Sequence, residues 1–213
     1  RSTLFPYTTL FRSNQRVGGT ARLFVISGPS GVGKGTLVSL VRRMRPDLGL
    51  TVSATTRPPR LGEVSGVSYH FLSEEEFSRR VDAGEFLEWA EVHGHRYGTL
   101  RDDVNAMLAL GKSVVLEIDV QGALNVRRIL PTAVLIFVEP PSLGELERRL
   151  RKRGTESEAQ IGLRLAHAKH ELELSARYDV RLVNDDRDAA AHRLVEVMKA
   201  FETDGGNPYN GSH

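Results

Sequence analysis

The 213-residue sequence contains no cysteine. A disulfide, a thiolate nucleophile and a cysteine-based zinc site are therefore excluded. Long apolar runs are missing too. The most continuous stretches, such as AVLIF at 133–137, are of strand length, far short of the roughly 20 residues that span a bilayer. An excess of one charge sign is nearly absent: 29 Lys and Arg stand against 27 Asp and Glu, a formal net charge of +2. That excess is too small to indicate nucleic acid or a membrane surface as partner, so the clustering of arginines matters more than their total. There is no internal repeat and no low-complexity linker. A hydrophobic fraction of 40% in a chain this long suits one α/β domain with a sizeable core, expected to be a cytoplasmic enzyme, monomeric or homo-oligomeric, acting on small molecules.

The two ends read differently from the rest. TLFPYTTLFRS (residues 3–13) is broken by Pro6 and a threonine pair, which makes a poor signal-peptide core. It resembles the in-frame translation of a sequencing-adapter oligonucleotide, so residues 1–20 are expected to be an artefactual or disordered tail outside the fold. Residues 203–213, rich in Gly, Asn and Asp, are expected to be a disordered tail.

Between the tails, strand-like runs alternate with helix-like runs, the pattern of a parallel sheet flanked by helices. RLFVIS (22–27), SVVLEID (113–119) and AVLIFV (133–138) are near-continuous apolar strands, as the centre of a parallel sheet requires. LTVSA (50–54), YHFL (69–72) and YDVRLVN (178–184) read as further strands, and EFLEWAEVHGHRYGT (85–99) alternates like half-buried ones. Leu37, Leu40, Val41 and Met44 share one face of a helix ending before Pro46. Ser73 with Glu76, and Ser142 with Glu145, have capping-box spacing. Residues 187–202 form a closing amphipathic helix.

GPSGVGKGT (28–36) joins the first strand to the first helix. Gly28, Gly31 and Gly33 let backbone N–H groups turn toward an anion, around Pro29, Ser30 and Val32. The following helix adds its dipole, and Lys34 adds a point charge for the outer phosphates. This is a nucleoside-triphosphate loop. Gly35 stands where such loops usually carry the hydroxyl that ligates magnesium; adenylate-kinase-like loops also carry GKGT, with the metal held by phosphates and water. Thr36 is either a phosphate contact or an ordinary first-turn threonine. Asp119, ending an apolar strand, is placed to hold the water shell of Mg2+, or else to cap the next helix. Arg57 and Arg60 lie on a loop stiffened by Pro58 and Pro59, with no acid nearby until Glu63. Two guanidiniums so placed repel unless an anion lies between them, and arginine's fork suits phosphate. Tyr69 and Tyr97 either donate hydroxyls to that phosphate or are core aromatics.

SATTRPPRLGE, GVSYHF, GEFLEWAEVHGHRYGT, LEIDVQGA, PPS and RGTESE, following GPSGVGKGT in this order, closely resemble the guanylate kinases, over about residues 22–202. The resemblance implies a core of 21–52, 100–148 and 166–202, an inserted mixed α/β GMP-binding lobe at about 53–99 and a helical lid at about 149–165. It implies transfer of the γ-phosphoryl group of ATP to GMP, giving ADP and GDP. Arg57, Arg60, Tyr69 and Tyr97 would hold the GMP phosphate. Glu88 would accept from guanine N1–H and the 2-amino group, with Ser53 and Thr99 on the base. Glu117 would support the GMP side and Asp119 the magnesium side. Arg149, Arg153 and Arg164 would close over ATP, and Asn184 would contact adenine. Phosphoryl transfer needs positioning and charge neutralisation rather than a covalent catalyst, so His93 and His95 need no catalytic role. Two other readings compete: a non-catalytic module that binds phosphorylated partners, and a kinase for another nucleoside monophosphate. Lys34, Glu88 and Asp119 oppose the first. Glu88 opposes the second, because adenine has no N1–H or 2-amine to offer a carboxylate.

Overall fold

In a computed structural model, residues 20–92, 94–152 and 157–203 are described. The tail residues 1–19 and 204–213, His93, and Arg153 with its three successors lie outside the described residues. The chain runs β1 (Leu23–Ser27), α1 (Lys34–Met44), β2 (Ala54–Thr55), β3 (His70–Phe71), α2 (Glu74–Asp82), β4 (Phe86–Val92), β5 (His95–Leu100), α3 (Arg101–Ala109), β6 (Val114–Glu117), α4 (Val120–Ile129), β7 (Val134–Glu139), α5 (Leu143–Lys152), α6 (Glu158–Glu173), a 3₁₀ turn (Leu174–Arg177), β8 (Val180–Val183) and α7 (Arg187–Thr203).

The first sheet has the order β6-β1-β7-β8, with every pair parallel. Strands β1 and β7 and most of β6 are apolar on both faces because both faces are covered, while the edge strand β8 alternates between buried and exposed residues. Phe24 and Ile26 of β1 pack with Leu37, Val38 and Val41 of α1 and with Leu194, Met198 and Phe201 of α7. Leu23 and Val25, pointing the other way, pack with Val104 of α3 and Ala123, Leu124 and Val126 of α4. Each large side chain buried here contributes about 1.5–3 kcal/mol. The expected apolar row on α1 is rotated: Leu37, Val38 and Val41 are buried, Leu40 is partly buried and Met44 is 36% exposed.

The second sheet, β3-β2-β5-β4, is mixed: β2 and β3 are parallel, while β5 is antiparallel to both β2 and β4. It has its own small core of Ala54, Phe77, Phe86 and Leu100, with the rings of Phe77 and Phe86 stacked at 4.4 Å. The strand expected over 50–54 shrinks to Ala54–Thr55. Gly49 instead makes a single bridge to Val114 at the edge of the first sheet, so residues 50–53 cross from one sheet to the other.

Both expected capping boxes are half made. Ser73 and Ser142 accept from the N–H of Glu76 and Glu145, each at 3.1 Å. The two glutamates turn to arginines instead, Glu76 to Arg79 and Arg80 and Glu145 to Arg148 and Arg149. A charge-assisted bond is stronger than one to a neutral amide. The reciprocal box forms at α6, where Ser157 is paired with the uncharged Gln160. At the ends of the described residues, Thr20 donates its N–H to the Glu202 carbonyl at 2.8 Å. Helix α7 extends to Thr203.

Candidate active site

The loop from Gly28 to Gly33 leaves the C-terminal end of β1, the middle of the parallel sheet. Gly28 has φ 145°, and a Cβ there would stand 2.3 Å from the Val138 carbonyl oxygen. Gly33, at φ 101°, is the N-cap of α1; a Cβ on it would lie 2.7 Å from the Asn184 amide nitrogen. Only glycine fits either place. With a glycine cap, no side chain reaches over the first N–H groups of α1, which face outward as an anion site does. Lys34 folds back over the loop, donating to the carbonyls of Gly28 (2.5 Å) and Pro29 (3.1 Å).

Elements from three other parts of the chain brace this loop. Asn184, buried after β8, donates its side-chain amide to the Val32 carbonyl at 2.7 Å. One of its two amide protons is thus used on the loop, leaving the other proton and the side-chain oxygen. Arg149 of α5 donates to the same carbonyl at 3.2 Å and to the Asn184 carbonyl at 2.9 Å. Arg164 of α6 reaches the Ser30 hydroxyl at 3.2 Å. Two of the three expected lid arginines thus meet at the loop, and the third, Arg153, lies outside the described residues. Thr36 is exposed on α1. A contact with no expectation behind it joins the Tyr178 hydroxyl to the Ser27 hydroxyl at 2.7 Å. Burial pushes the Tyr178 phenol up to about 12, so it stays protonated and the bond persists at any physiological pH.

A cavity of about 770 Å³ opens between the two sheets and ends at the loop. Its wall includes Lys34, Ser53, Tyr69, Glu88, Tyr97, Thr99, Glu117 and Asp119, eight of the residues singled out from sequence. Glu88 and Thr99 are cross-strand partners in the β4–β5 hairpin, and the Thr99 hydroxyl donates to the Glu88 carboxylate at 2.7 Å. Thr99 thus lines the cavity with its hydroxyl proton directed to Glu88. Burial raises the Glu88 pKa; the Thr99 bond opposes the rise and the charge of Asp119 adds to it. Glu117, at the end of β6, is also raised by its recessed position, with Lys34 and Arg42 acting against the rise. The Tyr69 and Tyr97 rings meet edge to face at 6.1 Å, and both line the cavity rather than a core.

Asp119 caps α4, its Oδ1 accepting from the Gly122 N–H at 2.6 Å, and the residue also lines the cavity, with no hydrogen bond to Oδ2 among the described residues. Among the described residues no three His, Cys, Asp or Glu side chains gather as a metal cage. Gly35 brings no hydroxyl; a Cβ there would stand 3.4 Å from Glu117. One free carboxylate oxygen beside a phosphate loop fits a hard divalent cation that arrives on nucleotide phosphates and keeps most of its water.

The arginine loop departs from expectation. Arg57 is not left facing Arg60 without a counter-charge, because its guanidinium donates to both oxygens of Glu63, at 2.8 and 3.0 Å. It also lies over the ring of Tyr69, at 5.4 Å. The Arg60 side chain is exposed and does not line the cavity. Arg42, Thr51, Gln121 and Asn125 line the cavity without having been anticipated. For Arg42 a signal existed: Lys34, Val38 and Arg42 are spaced i, i+4, i+8 on one face of α1.

Comparison with known proteins gives one consistent answer. The guanylate kinase family profile matches residues 20–201. A guanylate kinase of Thermosynechococcus vestitus is 55% identical over 182 residues, 85% of this chain and 92% of that protein. One of Synechocystis is 51% identical over 177 residues, 83% of this chain and 93% of its own. Among solved structures, the guanylate kinase of Anaplasma phagocytophilum superposes with a TM-score of 0.63 at 33% identity, covering 87% of this chain and 88% of that one.

Proposed function

Because the chain belongs to the guanylate kinase family, we propose that it transfers the γ-phosphoryl group of ATP to GMP or dGMP, giving ADP and GDP or dGDP. It would work in the cytoplasm, in purine nucleotide recycling. The observation that carries this reading is that Lys34 and Glu88 line the same cavity. A phosphate-loop cation stands at one end, and at the other a half-buried carboxylate able to accept from both donors on guanine's Watson–Crick edge.

In the reaction, an oxygen of the acceptor phosphate attacks the γ-phosphorus, and the bond to the β–γ bridging oxygen breaks, with ADP leaving. The protein's task is to hold two anions in line and offset their charge. Lys34 exchanges the carbonyls of Gly28 and Pro29 for the outer phosphate oxygens. The loop N–H groups hold the triphosphate. Arg149 and Arg164, already at the loop, turn to the transferring group, and Arg153 joins them. Arg57, Arg60, Tyr69 and Tyr97 hold the acceptor phosphate, while Ser53 and Glu117 line the nucleoside. Asp119 is the residue that would hold Mg2+, through water. When bound, that ion would offset phosphate charge. Asn184, one amide proton of which braces the loop at Val32, contacts adenine with its remaining amide groups.

A coupled assay with GMP, dGMP, AMP, UMP and CMP as acceptors tests the proposal. Turnover confined to the guanine nucleotides is expected; turnover with AMP at a comparable rate would overturn the acceptor assignment.

A further inference from the structure

We infer that Glu63 is a positioning residue for the acceptor phosphate, acting through Arg57 and Arg60. The inference rests on the acceptor reading given above.

Residues 55–63 form a loop closed at both ends by hydrogen bonds. The Arg57 N–H donates to the Thr55 hydroxyl at 3.1 Å. The Glu63 N–H donates to the Arg60 carbonyl at 3.0 Å. The Glu63 carboxylate lies at the centre of this loop. It takes two bonds from the Arg57 guanidinium, and its Oε2 also accepts the Arg60 N–H at 2.7 Å. A third guanidinium proton of Arg57 goes to the Pro58 carbonyl at 2.8 Å. The rings of Tyr69 and Phe71 flank the guanidinium at 5.4 and 5.9 Å, and the Arg57 side chain is only 11% exposed. Two of its five N–H donors lie beyond these three bonds, with the Tyr97 hydroxyl close by.

In an ion pair this far covered, with Arg57 11% and Glu63 22% exposed, the attraction is largely offset by the desolvation of the two charges, so net stability does not explain this arrangement. An arginine loses several rotatable bonds when it docks on a phosphate, and an arginine already held loses less on binding. The same carboxylate carries a negative charge into a site meant for an anion. The two effects have opposite signs, so the sign measured on removing Glu63 decides the matter. With Arg57 caged on three sides and the Arg60 backbone tied to the same oxygen, the positioning effect is the larger.

The test uses the full chain with Glu63→Ala and Glu63→Gln, measuring kcat, KM for GMP and for ATP, GMP binding by calorimetry, and Tm. Glu63→Ala is expected to raise KM and Kd for GMP about tenfold. Its kcat, its KM for ATP and its Tm are expected to stay close to wild type. Glu63→Gln, which keeps an oxygen for Arg57 and for the Arg60 N–H, should fall between Ala and wild type. An unchanged or lowered KM for GMP would overturn the inference, since the carboxylate would then be neutral or an obstacle. So would a fall in Tm with KM for ATP rising equally, the mark of a merely structural role. Wild-type turnover of GMP separates these outcomes from failure of the proposed reaction itself.

Discussion

Thr99 and Glu88 face each other across the β4–β5 hairpin, and the threonine hydroxyl is bonded to the carboxylate it opposes. A strand register therefore decides which way the cavity's central acid points and how readily it ionises. The pleat turns Glu88 and Thr99 to the same face, and a one-residue slip of β4 would send Glu88 to the face opposite Thr99.

Replacing Glu88 with Gln should expose the acceptor role. Glutamine keeps the volume but offers one acceptor and one NH₂, so a donor on guanine meets a donor. We expect kcat/KM for GMP to fall about 10²-fold, roughly 2.7 kcal/mol, with KM for ATP unchanged and discrimination against AMP narrowed. Steady-state kinetics with GMP and AMP check this, and unchanged GMP kinetics would remove Glu88 from guanine recognition.

The acid limb of activity should carry the same signature. Glu88 must be ionised to accept two donors, and its pKa is raised, chiefly by burial. The acid limb of kcat/KM for GMP should therefore lie above the ordinary glutamate range. Thr99→Val removes the bond that lowers that pKa, so the limb should move toward neutral pH. In stability the sign is opposite to that of a salt-bridged acid. A raised carboxyl pKa means that the folded state binds the proton more readily, so its contribution improves as pH falls through the interval between the unfolded and the raised value. A pH–rate profile that stays in place in Thr99→Val would show that another group sets the limb.

At the loop, Lys34→Ala should keep a native circular dichroism spectrum while kcat falls about 10²–10³-fold, the usual effect of removing one electrostatic contact to a transferring group. Near-wild-type turnover would place the triphosphate elsewhere.

Two glycines of that loop should respond in opposite ways. Gly28→Ala drives a methyl into the Val138 carbonyl oxygen at a backbone angle that side chains avoid. A loss of at least about 3 kcal/mol is expected, lowering Tm by roughly 6–12 °C in a domain this size. Gly35→Ser adds a Cβ at 3.4 Å from Glu117, within reach of a hydrogen bond, and should leave Tm and turnover nearly unchanged. Thermal melts of the two proteins, with an activity assay on the second, separate these outcomes.

What could be read from the sequence follows the range of the forces involved. β1, β6 and β7 were legible because strands buried on both faces must be apolar throughout, and the phosphate loop because three glycines and a lysine leave little other use for the segment. The short strands β2 and β3 were read as strands but too long, over 50–54 and 69–72, and their partners were not legible. Their pairing is parallel and spans a 14-residue loop, so no local period marks it. Glu63 was visible only as a charge near two arginines, since its partnership depends on how the loop turns back. The half-made capping boxes failed for a similar reason: the spacing was right, but a nearby guanidinium outcompetes an amide. Asp119 was read as either metal side or helix cap, and one of its oxygens serves as the cap.

The cavity's two ends stand on cores of unequal size. The loop is anchored to the parallel sheet, held between two layers of helices, whereas the hairpin that carries Glu88 rests mainly on a small core of Ala54, Phe77, Phe86 and Leu100, joined by Leu72 and Val81, with Leu87 as its buried link to the larger core. Opening that smaller unit exposes far less apolar surface, so its amides should exchange with solvent through a partial unfolding that leaves β1 and α1 protected. On warming, the chain should lose its discrimination between nucleobases while it still grips a triphosphate.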